Sequence, residues 1–307
     1  MKLRLGTRGS PLALAQTRLV ADALRPLGVD IEVVPIRTSG DRLAQAALAD
    51  FGGKALFVQE IEDALAERRI DVGVHSLKDM PATLPAGLCL AAFPPREDPA
   101  DVLVSRIGGR LGDLPPGAVV GTSSLRRGVL VRARRPDLRV APIRGNVETR
   151  LAKLAAGDFD AIILARAGLL RLGVRPEHAT ELPVDEFTPA AGQGILGLEA
   201  RIADGPALEM LGRLDDTRSR MEALAERAFL RRLGAGCHTP VAAHGCLDGG
   251  DLTLVGVVAS ADAAVVLRAT ARGAGSAAEA IGAQVADDLL GRGAGRFLAA
   301  NGPAGSP

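Results

Sequence analysis

At 307 residues and 47% hydrophobic content, the chain is longer than a usual single-core domain and carries enough apolar material for two or three. A formal net charge of +1 excludes both the strongly basic surface of a non-specific nucleic-acid binder and an acidic tail. Only four of the 37 cationic residues are lysine (Lys2, Lys54, Lys78, Lys153), so nearly all positive charge sits on guanidinium, the group suited to forked recognition of carboxylate or phosphate; the plain alternative reading of that bias is a genome-wide codon preference.

The opening MKLRLGTRGSPLALAQ has no signal-peptide run, and no stretch reaches ~18 uninterrupted apolar residues, which predicts a cytoplasmic protein with no membrane span. Three cysteines make no disulfide framework in a chain of this length. LRLGT (3–7) predicts a strand, and Ser10 with Pro11 an N-cap and first turn for the helix LALAQTRLVADAL. IEVVPIRT is a second strand, KALFVQEIEDALAERR (54–69) a helix and IDVGVH a third strand. Around FPPREDPADVLVS proline and charge become dense and the pattern restarts, which puts a boundary near 95–100. AVVGTSSLRRGVL (118–130) repeats the strand, Gly-Thr-x-Ser, helix opening of LRLGTRGSPLAL about 115 residues further on, so two related lobes are expected. LRVAPIRGN before VETRLAKLAAG, and FDAIILA before RAGLLRLG, add two more strand-to-helix junctions. This alternation is the signature of an α/β fold, parallel sheets with helices on both faces. A charged helix, DDTRSRMEALAERAFLRRL, then alternating VAAHGCL and LTLVGVVAS, then the helix SAAEAIGAQVADDLL, predict a smaller α+β domain.

In open α/β sheets ligands bind beyond the carboxyl ends of strands, where helix N-termini offer free N–H groups. Those junctions carry Thr7, Arg8 and Ser10; Ser76, Lys78 and Asp79; Thr122, Ser123, Ser124, Arg126 and Arg127; Arg144, Asn146 and Arg150; Arg166 and Arg171. One arginine at a helix start is ordinarily a solvated charge, but recurrence on one edge of two lobes predicts a cleft for a ligand with many anionic oxygens. Asp79, in HSLKDMP, is a lone carboxylate in that positive field, placed to stabilise a cation or move protons, unless it is a plain turn aspartate. FGGKALF (51–57) reads either as a glycine-hinged lid bearing Lys54 and Phe57 or as a loop with Phe57 in the core.

Cys237, His238, His244 and Cys246 sit close together in RRLGAGCHTPVAAHGC. Adjacent Cys237 and His238 project in different directions, which argues against a zinc site, and the same adjacency is poor geometry for a cysteine–histidine nucleophile. A cysteine in a glycine-rich turn suits a covalent attachment point better than a core thiol.

The motifs GTRGSPLALAQT, TSGDR, GGKALFVQE, VHSLKDMP, REDPADVLVS, GTSSLRR, RRPDL, IRGNVETRL, DAIILARAGLLRLG, PAAGQGILGLE and GAGCHTP, in this order, resemble the porphobilinogen deaminase (hydroxymethylbilane synthase) family. The resemblance implies two lobes with mixed sheets similar to type II periplasmic binding proteins, plus a smaller C-terminal α+β domain. It implies domain 1 over 1–96 with a return segment 193–213, domain 2 over 97–192 and a cofactor-anchoring domain over 214–307. It implies a dipyrromethane cofactor joined by a thioether to Cys237, on which four porphobilinogen units are deaminated and condensed head to tail before hydrolysis releases hydroxymethylbilane. By matching motifs, Lys78, Ser124, Arg126 and Arg127 would hold the cofactor's carboxylates, and Arg8, Ser10, Arg144, Arg150 and Arg171 would bind substrate or the growing chain. Asp79 would assist loss of ammonia and stabilise the resulting azafulvenium cation; Lys54 and Phe57 would belong to a lid. No metal is implied. The resemblance further implies a monomer that binds neither nucleic acid nor membrane and hands its product to uroporphyrinogen-III synthase. Competing readings are a two-lobed anion binder without chemistry, which needs neither Asp79 nor Cys237, and a zinc-stabilised regulator.

Overall fold

A computed structural model describes residues 1–36, 58–236 and 239–299 of the chain. Its first strand, β1 (Lys2–Arg8), leads into α1 (Pro11–Leu24), where Ser10 caps the helix by accepting the Ala13 N–H at 3.3 Å and Pro11 opens the first turn. With β2 (Asp30–Ile36), β3 (Val72–Ser76), β4 (Leu88–Ala92) and β10 (Leu196–Arg201) it forms a five-stranded sheet in the order β2-β1-β3-β10-β4. β1 pairs in parallel with both neighbours, whereas β10 runs antiparallel to both of its own.

The second sheet has the same plan. β5 (Asp101–Ser105), β6 (Val119–Gly121), β7 (Arg139–Ala141), β8 (Ala161–Ala165) and β9 (Ala179–Leu182) lie in the order β7-β6-β8-β5-β9, and β5 is the antiparallel member. Both sheets are therefore mixed rather than wholly parallel. The antiparallel strand in each is the one laid down just after the chain crosses between lobes: it enters the second sheet at β5 and re-enters the first at β10. Helices α3 (Leu125–Arg134), α4 (Val147–Ala155) and α5 (Arg166–Leu172) follow β6, β7 and β8. Both faces of this sheet are buried, because Leu103 and Ile163 pack on one side while Val102, Val104, Ile162 and Leu164 pack on the other. Each such side chain contributes about 1.5–3 kcal/mol through burial.

After α6 (Gly205–Gly212) the chain forms α7 (Thr217–Leu233), an antiparallel sheet of β11 (Val241–Asp248), β12 (Asp251–Ala259) and β13 (Val266–Ala274), and α8 (Ala278–Gly291). Phe229 of α7, Leu254 of β12 and Val285 of α8 share its core. The sequence reading does not identify β13: its inward residues Ala269 and Ala271 are small and alternate with Arg268, Thr270 and Arg272, so it lacks the β-branched run that marks a strand.

α2 (Gln59–Ala66) is shorter than the helix expected over 54–69, whose first four residues lie outside the described ones. It ends because Arg68 takes a left-handed backbone at φ 57°, so that the Arg69 N–H turns back onto the Ala64 carbonyl at 2.9 Å. Near this helix His75 Nε2 lies 3.1 Å from Glu199 Oε2 in the sheet interior, and Glu62 leaves a buried Oε1 without a hydrogen-bond partner among the described residues. Burial, then the Glu199 charge, push the Glu62 carboxyl up to about 7. A raised carboxyl stabilises the fold fully below its unfolded value near 4.3, and that contribution is lost as pH rises through about 7. Glu62→Gln should therefore raise the thermal midpoint at pH 8 by about 2 °C, equivalent to roughly 1 kcal/mol after allowance for solvent screening. The gain should shrink toward pH 5 in calorimetric scans; a gain independent of pH would assign it to something other than this carboxyl.

Candidate active site

The parallel strands of both lobes end at edges that face each other. α1 packs against α5 across the gap, with Leu12 beside Gly168. Arg8 ends β1 and Ser10 follows it; Lys78 and Asp79 lie in a short 3₁₀ turn, Leu77–Asp79, directly after β3. In the second lobe Ser124, Arg126 and Arg127 follow β6, Arg144 and Arg150 follow β7, and Arg171 lies in α5 after β8. Ser124 caps α3, accepting the Arg127 N–H at 3.4 Å, and Asn146 caps α4, accepting the Thr149 N–H at 2.8 Å. Both helices thus present N-termini to this edge. Ser123 ties the two junctions together by donating to the Ile143 carbonyl at 2.8 Å and accepting the Ile143 N–H at 3.1 Å.

At the centre lies Asp101, the first residue of β5, with no exposed surface. Its Oδ2 accepts Arg126 Nη1 at 2.7 Å, and its Oδ1 accepts Arg127 Nε at 3.0 Å and Nη2 at 2.6 Å. Burial opposes ionisation of Asp101, but the charges of Arg126 and Arg127, with their hydrogen bonds, outweigh it and hold the carboxyl well below the usual range. Arg126 and Arg127 are only 6% and 7% exposed. Arg127 also donates Nη1 to the Ile163 carbonyl at 3.1 Å, and Arg126 donates Nη1 to that of Thr188 at 2.9 Å. Arg126 Nε is buried with no hydrogen-bond partner among the described residues. Asp101 and Gln193, whose amide also reaches Asp101 Oδ1 at 2.9 Å, go unnoticed in the sequence reading, although both stand inside quoted motifs. An aspartate opening the apolar run DVLVS was the available signal, since a carboxylate there must be paired.

Two further guanidiniums of the edge bond backbone carbonyls. Arg150 Nε donates to the Gly145 carbonyl at 2.8 Å, and Arg171 Nη2 to that of Gly194 at 2.6 Å. Burial, aided by the charge of Arg127, lowers Arg150, and burial pushes Arg171 down to about 10 against the opposing charge of Glu97. These guanidiniums are partly stripped of water, and among the described residues neither forms an ion pair with a carboxylate. Arg144 is exposed, and its carbonyl accepts Lys153 Nζ at 3.3 Å. Lys54, Phe57 and Cys237 lie outside the described residues, as does His238. Burial pushes His244 down to about 3, which keeps it neutral 3.9 Å from Glu226; Cys246 is exposed on β11.

The family model described as "Porphobilinogen deaminase, dipyromethane cofactor binding domain" matches residues 3–209, and that for "Porphobilinogen deaminase, C-terminal domain" matches 220–291. The chain belongs to the porphobilinogen deaminase family. A porphobilinogen deaminase from Syntrophotalea carbinolica is 49% identical over 97% of this chain and 95% of its own length, and one from Desulforudis audaxviator 50% over 96% of each. A periplasmic substrate-binding protein of an ABC transporter from Coxiella burnetii is similar at 16% identity and a TM-score of 0.43, over 69% of this chain and 91% of that one, too distant to support an argument.

The family's cofactor suits what the edge offers. A dipyrromethane bears four carboxylates, and Arg126 Nε, without a partner among the described residues, together with the partly desolvated Arg150 and Arg171 are donors that such carboxylates would satisfy.

Proposed function

We propose that the chain deaminates porphobilinogen and condenses four units head to tail on a dipyrromethane joined to Cys237, releasing hydroxymethylbilane by hydrolysis. One observation supports this most: partly desolvated guanidiniums gather at one edge, while a buried carboxylate beside them, Asp101, is consumed in holding two arginines. Such a site retains surplus positive charge, and acetate and propionate groups on every pyrrole neutralise it.

Lys78, Ser124, Arg126 and Arg127 would hold the cofactor, whose free pyrrole carbon supplies the nucleophile. Arg8, Ser10, Arg144, Arg150 and Arg171 orient the carboxylates of substrate and growing chain. Asp79 serves the reacting centre. Its carboxylate accepts the pyrrole N–H of the incoming substrate, stabilises the positive charge left in that ring as ammonia departs, and takes the proton released when the new carbon–carbon bond forms. The α3 and α4 N-termini add backbone donors for carboxylates. Lys54 and Phe57 act as lid residues, Phe57 by stacking on a pyrrole.

The same reading divides the chain into 1–96 with 193–213, 97–192 and 214–307, and has it work in the cytoplasm as a monomer that passes its product to uroporphyrinogen-III synthase. Among the described residues no helix is long and apolar enough to cross a membrane. The deciding measurement is intact mass. Denatured protein purified from cells that make porphobilinogen should exceed its sequence mass by a two-pyrrole adduct; an unmodified mass would sink the enzyme reading and leave the anion binder.

A further inference from the structure

A buried amide, Gln193, joins the two sides of the cleft. Gln193, 1% exposed, accepts Lys78 Nζ on its Oε1 at 3.2 Å and donates its Nε2 to Asp101 Oδ1 at 2.9 Å and to the Pro99 carbonyl at 2.7 Å. Lys78 belongs to the turn after β3 in the first sheet; Asp101 holds Arg126 and Arg127 of the second. An amide is the side chain this position requires, because it must accept from an ammonium at one end and donate to a carboxylate at the other.

The backbone fixes where that amide stands. Gly192 and Gly194 flank Gln193 at φ 75° and 88°, and a Cβ on Gly192 would come within 2.9 Å of the Lys78 nitrogen, one on Gly194 within 2.1 Å of the Glu97 carbonyl oxygen. The segment is thus wedged between the Lys78 turn and the crossover into the second lobe. From behind, buried Arg96 donates Nε to the Gln193 carbonyl at 3.0 Å, and Glu226 of α7 accepts the Gly192 N–H. Arg96 Nη1 also binds Glu226 at 2.8 Å, so the C-terminal unit braces the same point.

We propose that Gln193 is a positioning residue for the reaction: with Asp101 it sets the spacing between Lys78 and the Arg126–Arg127 pair. It thereby aims the carboxylate-holding groups of both lobes at one ligand. This rests on the proposed function, in which those three cations grip the cofactor. Misaiming by a fraction of an ångström at Gln193 displaces the reactive end of the bound group relative to Asp79, which costs turnover rather than substrate affinity.

The test uses full-length holoenzyme. Adduct occupancy is read by intact mass, and kcat and KM for porphobilinogen are expressed per adduct-bearing molecule, for wild type, Gln193→Met and Gln193→Glu. Gln193→Met removes both hydrogen-bonding ends at similar volume; kcat per adduct should fall at least about tenfold with KM within about threefold. Gln193→Glu keeps an acceptor for Lys78 but sets a carboxylate oxygen against Asp101 Oδ1, and its kcat per adduct should also fall at least about tenfold. A merely structural role would lower the folded or loaded fraction and leave kcat per adduct unchanged, and that result overturns the inference. If Gln193→Met does not fold, an unchanged kcat per adduct in Gln193→Glu overturns it and a reduced one supports it. A wild-type protein without adduct instead removes the proposed function, and this inference falls with it.

Discussion

Asp79→Asn should leave the purified protein with its two-pyrrole adduct while cutting turnover by roughly 10²–10⁴-fold. Asparagine has the shape of aspartate, so the Leu77–Asp79 turn and the Lys78 contact to Gln193 are preserved, and with them the groups that would load the cofactor. What disappears is the negative charge and the proton acceptor. A neutral amide cannot offset positive charge developing in a pyrrole as ammonia leaves, in a site whose guanidiniums work against that cation. Intact mass reads the loading, and single-turnover kinetics with saturating porphobilinogen read the chemistry. A rate within about threefold of wild type would remove Asp79 from the reacting centre.

Asp101→Asn should have the largest effect on stability, about 3–5 kcal/mol, measured as the shift in urea unfolding midpoint at constant slope. The carboxylate is fully buried and neutralises two guanidiniums that are nearly so. Removing its charge leaves Arg126 and Arg127 buried beside each other, and the amide's own N–H groups point donor against donor at one of them. Sign and pH window follow from the depressed carboxyl: Asp101 contributes stability above its unfolded value near 3.9, and the contribution is lost as pH falls toward its much lower folded value. The wild-type advantage over the asparagine variant should therefore be full at pH 7 and decline only in strong acid. A loss below about 1 kcal/mol at pH 7 would mean that the arginines find other partners.

The junctions that bear Arg8, Ser10, Lys78, Asp79, Ser124, Arg126, Arg127, Arg150 and Arg171 were legible from the chain alone, because strand-to-helix transitions announce themselves through local pattern and capping residues. The same locality explains what was missed. β13 carries its inward face on alanines, and α2 ends on a left-handed arginine, a conformation that no residue preference signals.

By itself the sequence determined the alternation of strands and helices, the capped helix starts, the repeated lobe and the family. Those properties arise from side-chain spacing within a few residues, or from long ordered motifs. Only the tertiary structure decided that Asp101 neutralises Arg126 and Arg127, that Gln193 connects this pair to Lys78, and that Arg150 and Arg171 bond backbone carbonyls. Gln193 and Lys78 are 115 residues apart, Gln193 and Asp101 are 92 apart, and the three meet only because β10 returns to the first sheet while β5 stays in the second. Burial and charge pairing depend on that crossing, so no local pattern encodes them.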